Sequence, residues 1–170
     1  MDITAIILDD HRAQRALFAM IEDIDPQQTD ALAAIWKRLG PLLEAHAEAE
    51  ERYFYPRLLK IGTGANDADD AEEETLDAIE DHNDIRDAVR AVDGEKIGTP
   101  GWFEAIDKAN KANSDHMAEE ERQGLADFRR NASLQERHDL AVAFVAFKYR
   151  HLDGITARDK DPAAYVAAHS

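Results

Sequence analysis

The placement of glycine and proline constrains this chain most: both fall almost entirely between long stretches rich in Ala, Leu, Glu and Arg. Those residues favour helix, β-branched alternation is scarce, and Gly and Pro are the residues that end helices. The chain therefore reads as all-α. Helix one is expected from about Ile3 to Ile24, with Ile7, His11, Gln14, Phe18 and Ile21 on one stripe. Asp25-Pro26 reads as the cap and first-turn proline of helix two, which runs to about Lys60. Gly40-Pro41 should kink that helix and Tyr55-Pro56 should distort it again, because proline lacks a backbone donor and crowds the preceding turn.

A polar loop is expected from Gly62 to Asp70, helix three from about Ala71 to Val92, and helix four from about Trp102 to Asn131 after a loop over Asp93 to Gly101. Ser133 caps a fifth, more apolar helix containing Leu140, Val142, Phe144, Val145 and Phe147. The tail is polar from Asp153, with a short last helix after Asp161-Pro162. Four long helices joined by short loops make an up-and-down antiparallel four-helix bundle, with the additional C-terminal helix covering an open side. A length of 170 residues fits a single domain, divided into a bundle over residues 1–131 and a covering helix and tail over 132–170.

Charge and composition narrow the function. Lys and Arg total 20 against 36 Asp and Glu, so the net charge of 20 − 36 = −16 repels phosphate backbones and anionic headgroups. Neither a nucleic acid nor a membrane partner is expected, and the sequence identifies no protein partner. The start, MDITAIILDDHRAQR, has no basic leader region or cleavage site, and no run approaches the roughly 20 apolar residues of a membrane span, which makes a cytoplasmic location the expectation. There are no cysteines, which removes disulfides, thiolate zinc sites and iron–sulfur clusters. Any metal must sit on nitrogen and oxygen.

Four of the seven histidines, His11, His46, His82 and His116, follow one another at intervals of 35, 36 and 34 residues, one on each long helix. At about 1.5 Å rise per residue, counting from the connecting loops brings them to within roughly 5 Å of one level. Two of them carry an acid four residues on, His46 with Glu50 and His116 with Glu120, and residues four apart share a helix face. No other histidine has Asp or Glu at that position. Imidazole with bridging carboxylate suits iron or manganese, and carboxylates from opposed helices can each span two ions. The ferritin-like alternative uses Glu-x-x-His, yet Leu43, Ile79 and Asn113 precede His46, His82 and His116 by three residues. Burying four imidazoles and two carboxylates without a cation would cost on the order of 1–3 kcal/mol for each unsatisfied group. Glu48, Glu51, Glu119 and Glu121 read as solvated helix faces, with Glu121 a weak alternative bridge, and His138 and His169 as surface residues.

The order of these motifs, DDH ending at His11, HAEAEERYFYP from His46, EDHNDIR around His82 and HMAEEER from His116, resembles the hemerythrin-like (HHE cation-binding) family over about residues 3 to 131. The resemblance implies His11, His46, His82 and His116 as terminal ligands and Glu50 and Glu120 as bridging carboxylates. It also implies two iron ions with an oxo or hydroxo bridge as cofactor, with manganese or zinc as lesser alternatives. True hemerythrins carry two histidines a turn apart on the third helix, whereas Ala78 and Arg86 stand four residues before and after His82. Tyr53, nearly on the face of His46, His151 on the covering helix, Tyr55 if Pro56 distorts the turn, or water could fill that position. The leading expectation is a non-haem di-iron protein that binds or senses a small oxidant: O2, NO or peroxide. A di-iron redox enzyme with peroxide-decomposing or oxidase activity, and an iron-responsive interaction module, are the alternatives.

Overall fold

The computed structural model describes residues 1–64 and 70–170. Its helices are α1 (Ile3–Asp23), α2 (Thr29–Tyr53), α3 (Tyr55–Ile61), α4 (Ala71–Asp93), α5 (Pro100–Arg122), α6 (Gly124–Asn131), α7 (Leu134–Arg150) and α8 (Pro162–His169). No strand occurs among the described residues, and the all-α expectation holds. The loop expected over Gly62 to Asp70 falls largely on residues 65–69, outside the described residues.

Capping fixes most helix starts. Asp2, Asp70, Thr99, Ser133 and Asp161 each accept a backbone N–H from the first turn, and Ser133 and Glu136 complete a capping box. Pro100 and Pro162 occupy first-turn positions where no donor is needed. Helix two departs from expectation here. Asp25 closes a turn over Pro26 by accepting from the Gln27 amide at 2.8 Å, and α2 starts only at Thr29.

The two internal prolines of the second helix behave differently. The α2 helix continues through Pro41, but it ends at Tyr53 before Tyr55-Pro56, and α3 begins anew. Proline disfavours helical backbone at the preceding residue by crowding that residue's Cβ. Gly40 has no Cβ to crowd; Tyr55 does, yet it is itself the first residue of α3, and the chain turns one residue earlier, at Phe54, ahead of a proline that has no N–H to return to α2. The expected fourth helix is likewise divided, at Gln123, into α5 and α6.

Two apolar clusters report the packing. One joins Phe18 and Ile21 near the end of α1 to Leu32 and Trp36 from the start of α2, Val89 and Val92 from the end of α4, and Trp102 and Ile106 from the start of α5. The other joins Ile3 and Ile7 from the start of α1 to Ala49 and Phe54 at the end of α2, Ala78 and Ile79 of α4, and Leu125 and Phe128 of α6. Helix ends meeting helix starts in both clusters means that neighbouring helices run antiparallel. Contacts link α1 to α2, α2 to α4, α4 to α5 and α5 back to α1, closing a four-helix ring. Phe144 and Phe147 of α7 and Tyr165 and Val166 of α8 join the second cluster, so the covering element is a pair of helices. Among the described residues, no helix is long and apolar enough to cross a membrane.

Candidate metal centre

Between the two apolar clusters lies a buried polar layer. Along α1 the inward stripe reads Ile3, Ile7, then His11 and Gln14, then Phe18 and Ile21. The same interruption occurs at His46 of α2, His82 of α4, and Asn113 and His116 of α5. All four histidines are at most 3% exposed. They form two pairs, with ring centroids 5.1 Å apart for His11 and His46 and 4.6 Å apart for His82 and His116.

Glu50 stands between the pairs with one oxygen turned to each. Its Oε1 lies 2.8 Å from His46 Nε2 and 3.9 Å from His11 Nε2. Its Oε2 lies 3.3 Å from His82 Nε2 and 4.0 Å from His116 Nε2. Ligating atoms of His11, His46 and Glu50, and again of Glu50, His82 and His116, lie within 4.8 Å of one another, forming two groups able to hold a metal ion and sharing one carboxylate. Glu120 is divided between a histidine and a tyrosine: Oε2 is 3.3 Å from His11 Nε2, while Oε1 accepts a 2.8 Å hydrogen bond from the Tyr55 hydroxyl.

These groups are built for a cation. His11 Nε2, His46 Nε2, both oxygens of Glu50 and Glu120 Oε2 are buried without a hydrogen-bond partner among the described residues. The 2.8 Å approach of His46 to Glu50 lacks the alignment of a hydrogen bond. Leaving such atoms unsatisfied costs about 1–3 kcal/mol each, a penalty that coordination removes. His82 and His116 turn their Nε2 atoms toward each other at 3.1 Å, close enough that a single ion could take both. The field has the matching sign. Burial opposes charge on His46 and His82, yet Glu50 with Asp10, and Glu50 with Glu51, outweigh it and raise their pKa values to about 10 and about 9. Burial would push the Glu50 carboxyl up, but His46 and His82 hold it well below the ordinary carboxylate value.

A second tier orients the imidazoles. Each Nδ1 faces a carboxylate, which makes it the N–H donor and leaves Nε2 free for a metal. His46 donates to Asp10 at 3.0 Å, His82 to Glu51 at 2.9 Å, His116 to Asp81 at 3.3 Å and His11 to Glu121 at 2.9 Å. The acceptors form a directed ring: α1 serves α2, α2 serves α4, α4 serves α5, and α5 serves α1. Each acceptor adjoins an inward ligand in sequence, alternately one residue before it (Asp10-His11, Asp81-His82) and one after it (Glu50-Glu51, Glu120-Glu121). Adjacent residues are about 100° apart on a helix. Because neighbouring helices run in opposite directions, one sense of rotation round the bundle is a step back on α1 and α4 and a step forward on α2 and α5. This corrects the solvated-face reading of Glu51 and Glu121. Glu51 is 2% exposed and also pairs with the buried Arg86 at 2.7 Å, and burial notwithstanding, His82, Arg86 and Lys160 lower its pKa to about 2. The alternating acid beside each ligand was the available sequence signal.

The residues one turn either side of His82 have other surroundings. Arg86, four residues after His82, turns to Glu51 and Asn83. Ala78, four residues before, lines a small cleft with Tyr55, Asp81, His116, Glu119 and Glu120. Tyr55 is fully buried, its ring 5.8 Å from that of His82. Burial, then the charges of Glu120 and Glu50, push its phenol pKa well up, so it donates as a neutral hydroxyl. Tyr53 and His151 lie elsewhere, both packed against Phe147.

Residues 2–126 match the family described as Hemerythrin HHE cation binding domain. No curated protein and no solved structure matches the chain.

Proposed function

The chain belongs to the hemerythrin HHE cation-binding family, and from that premise we propose that it is a non-haem di-iron protein that binds or senses O2, NO or peroxide. The observation that carries the reading is Glu50, whose two oxygens face two separate histidine pairs. His11 and His46 would hold one ion and His82 and His116 the other, with Glu50 and Glu120 spanning both. When bound, two iron ions sharing an oxo or hydroxo bridge supply one-electron redox steps and a coordination position open to a small ligand; manganese or zinc would fit the donors but is second choice.

The protein's own groups do the rest. The two apolar clusters exclude water from both ends of the layer. Tyr55, His116 and Glu120 line the small cleft beside Ala78, so a small ligand would approach from that side, where the Tyr55 hydroxyl would donate a hydrogen bond to it. That hydroxyl favours the enzymatic alternative, peroxide decomposition or oxidation, because it would put a neutral proton donor and an oxidisable ring beside a bound ligand. The small ligand is the partner this site fits; the strongly acidic surface argues against nucleic acid and anionic membranes.

Protein purified in air should show a near-ultraviolet charge-transfer band that changes when the reduced centre meets O2 or NO. Oxygen release on adding hydrogen peroxide would move the assignment from binding protein to enzyme. Absence of both the band and any ligand-dependent change in iron-supplemented protein would refute the reading.

A further inference from the structure

The C-terminal segment beyond the family match reaches into the second tier of the centre. Lys148 of α7 forms an ion pair with Asp10, the carboxylate that holds His46 Nδ1. Lys160, between α7 and α8, pairs with Glu51, the carboxylate that holds His82 Nδ1, and lies 2.8 Å from Glu48 Oε2. Lys160 is itself fixed beside the centre: its amide donates to Asn83 Oδ1 at 3.0 Å and its carbonyl accepts from Asn83 Nδ2 at 2.7 Å, one residue past His82. The Tyr165 hydroxyl of α8 donates to the main-chain oxygen of Glu51. One histidine of each pair is therefore held through a lysine-bound carboxylate. The carboxylates of the other two have different surroundings: Glu121 takes Arg15 of the bundle, and neither Glu121 nor Asp81 is paired with a lysine among the described residues.

We propose that Lys148 and Lys160 are positioning residues that set the donor strength of His46 and His82, making the C-terminal segment part of the metal centre. This rests on the metal-binding reading above. A carboxylate that accepts from Nδ1–H pushes electron density toward Nε2 and strengthens it as a ligand. A lysine on the same carboxylate draws part of that density away and pins the carboxylate's orientation. With the lysine removed, the carboxylate pulls harder on the Nδ1 proton but is less firmly held. The first effect favours the ferric state, and the second loosens the imidazole's aim.

The test uses the full chain with Lys148→Met, Lys160→Met, the corresponding arginine variants, and Arg137→Met as control. Arg137 also ties α7 to the bundle, through Asp2 at 2.9 Å, but touches none of the four outer carboxylates. Each lysine-to-methionine change should shift the reduction potential of the iron-loaded protein in the negative direction. It should also speed iron(II) release to a chelator by about threefold to tenfold, less than the roughly 10–100-fold typical of losing a direct imidazole partner. Arginine should restore both readouts, and Arg137→Met should alter neither. Methionine variants indistinguishable from wild type, or an Arg137→Met variant that matches them, would overturn the proposal. Zinc(II) release should follow the same order. A wild-type chain that takes up zinc but no iron would thus sink the di-iron reading alone, and one that holds neither metal would overturn both.

Discussion

The two ends of the bundle, one around Trp102 and one around Phe54, use the same four long helices in different ways. At the Trp102 end the helices are unbroken, and Phe18, Leu32, Val89 and Trp102 fill the space between them. At the Phe54 end two helices break, at Phe54 and at Gln123, and α7 and α8 add Phe144, Phe147, Tyr165 and Val166 to the apolar cluster. The break at Phe54 changes what the polar layer receives. Tyr55 is nine residues beyond His46, and in a continuous helix it would point about 180° away from that histidine. Restarting the helix at Tyr55-Pro56 is what brings its hydroxyl to Glu120. The plain end supplies stability; the broken end supplies a group for the centre.

That division predicts opposite phenotypes. Trp102→Ala, a truncation of a fully buried side chain at the plain end, should cost about 3–5 kcal/mol of unfolding free energy while leaving the metal stoichiometry and spectrum unchanged. Tyr55→Phe should cost less, about 1–3 kcal/mol for a lost hydrogen bond to a carboxylate, yet alter the spectrum and the response to peroxide. Chemical denaturation and absorption spectra on both variants check the contrast, which would collapse if Trp102→Ala changed the spectrum more than Tyr55→Phe.

A smaller effect separates the polar layer from the apolar ends through pH. In the metal-free protein, His46 and His82 are raised from an ordinary 6.5 to about 10 and about 9, so their contribution to stability is complete below 6.5 and lost as pH rises through those values. Glu50 and Glu51 are depressed from 4.5, Glu51 to about 2, so theirs is present above 4.5 and lost only as the solution becomes strongly acidic. Metal-free protein should therefore be most stable between about 4.5 and 6.5 and melt at progressively lower temperature up to pH 10. Bound metal replaces the imidazole protons, so loading should release protons below pH 9 and remove most of that decline. A flat melting profile for the metal-free chain from pH 6.5 to 10 would contradict the assignment of those protons to the layer.

The inner layer was legible in the sequence because His46 with Glu50 and His116 with Glu120 obey the four-residue rule of a helix face, and one histidine falls on each long helix. The outer carboxylates were not. Asp10, Glu51, Asp81 and Glu121 are each about 100° from an inward ligand, an angle that reads as solvent-facing on a helix considered alone. The alternation of the acid beside each ligand marks these residues, but it takes the neighbouring helix, and for Asp10 and Glu51 the lysines of the C-terminal segment, to show that this angle points at the next histidine. Tyr55 was missed as the preferred tyrosine for a related reason: helical periodicity favours Tyr53, and only the break before Pro56 reverses the order. The division at Gln123 carried no proline signal at all.

If one polar layer holds two ions through a shared carboxylate, anaerobic iron(II) titration of the metal-free chain will count them. Saturation is expected at two ions per chain for the wild type, and for Glu50→Gln a loss of at least one of them, since an amide cannot bridge as a carboxylate does. Saturation at one ion or none in the wild type, or two ions retained with unchanged affinity in Glu50→Gln, would contradict a layer that holds two ions through a shared carboxylate.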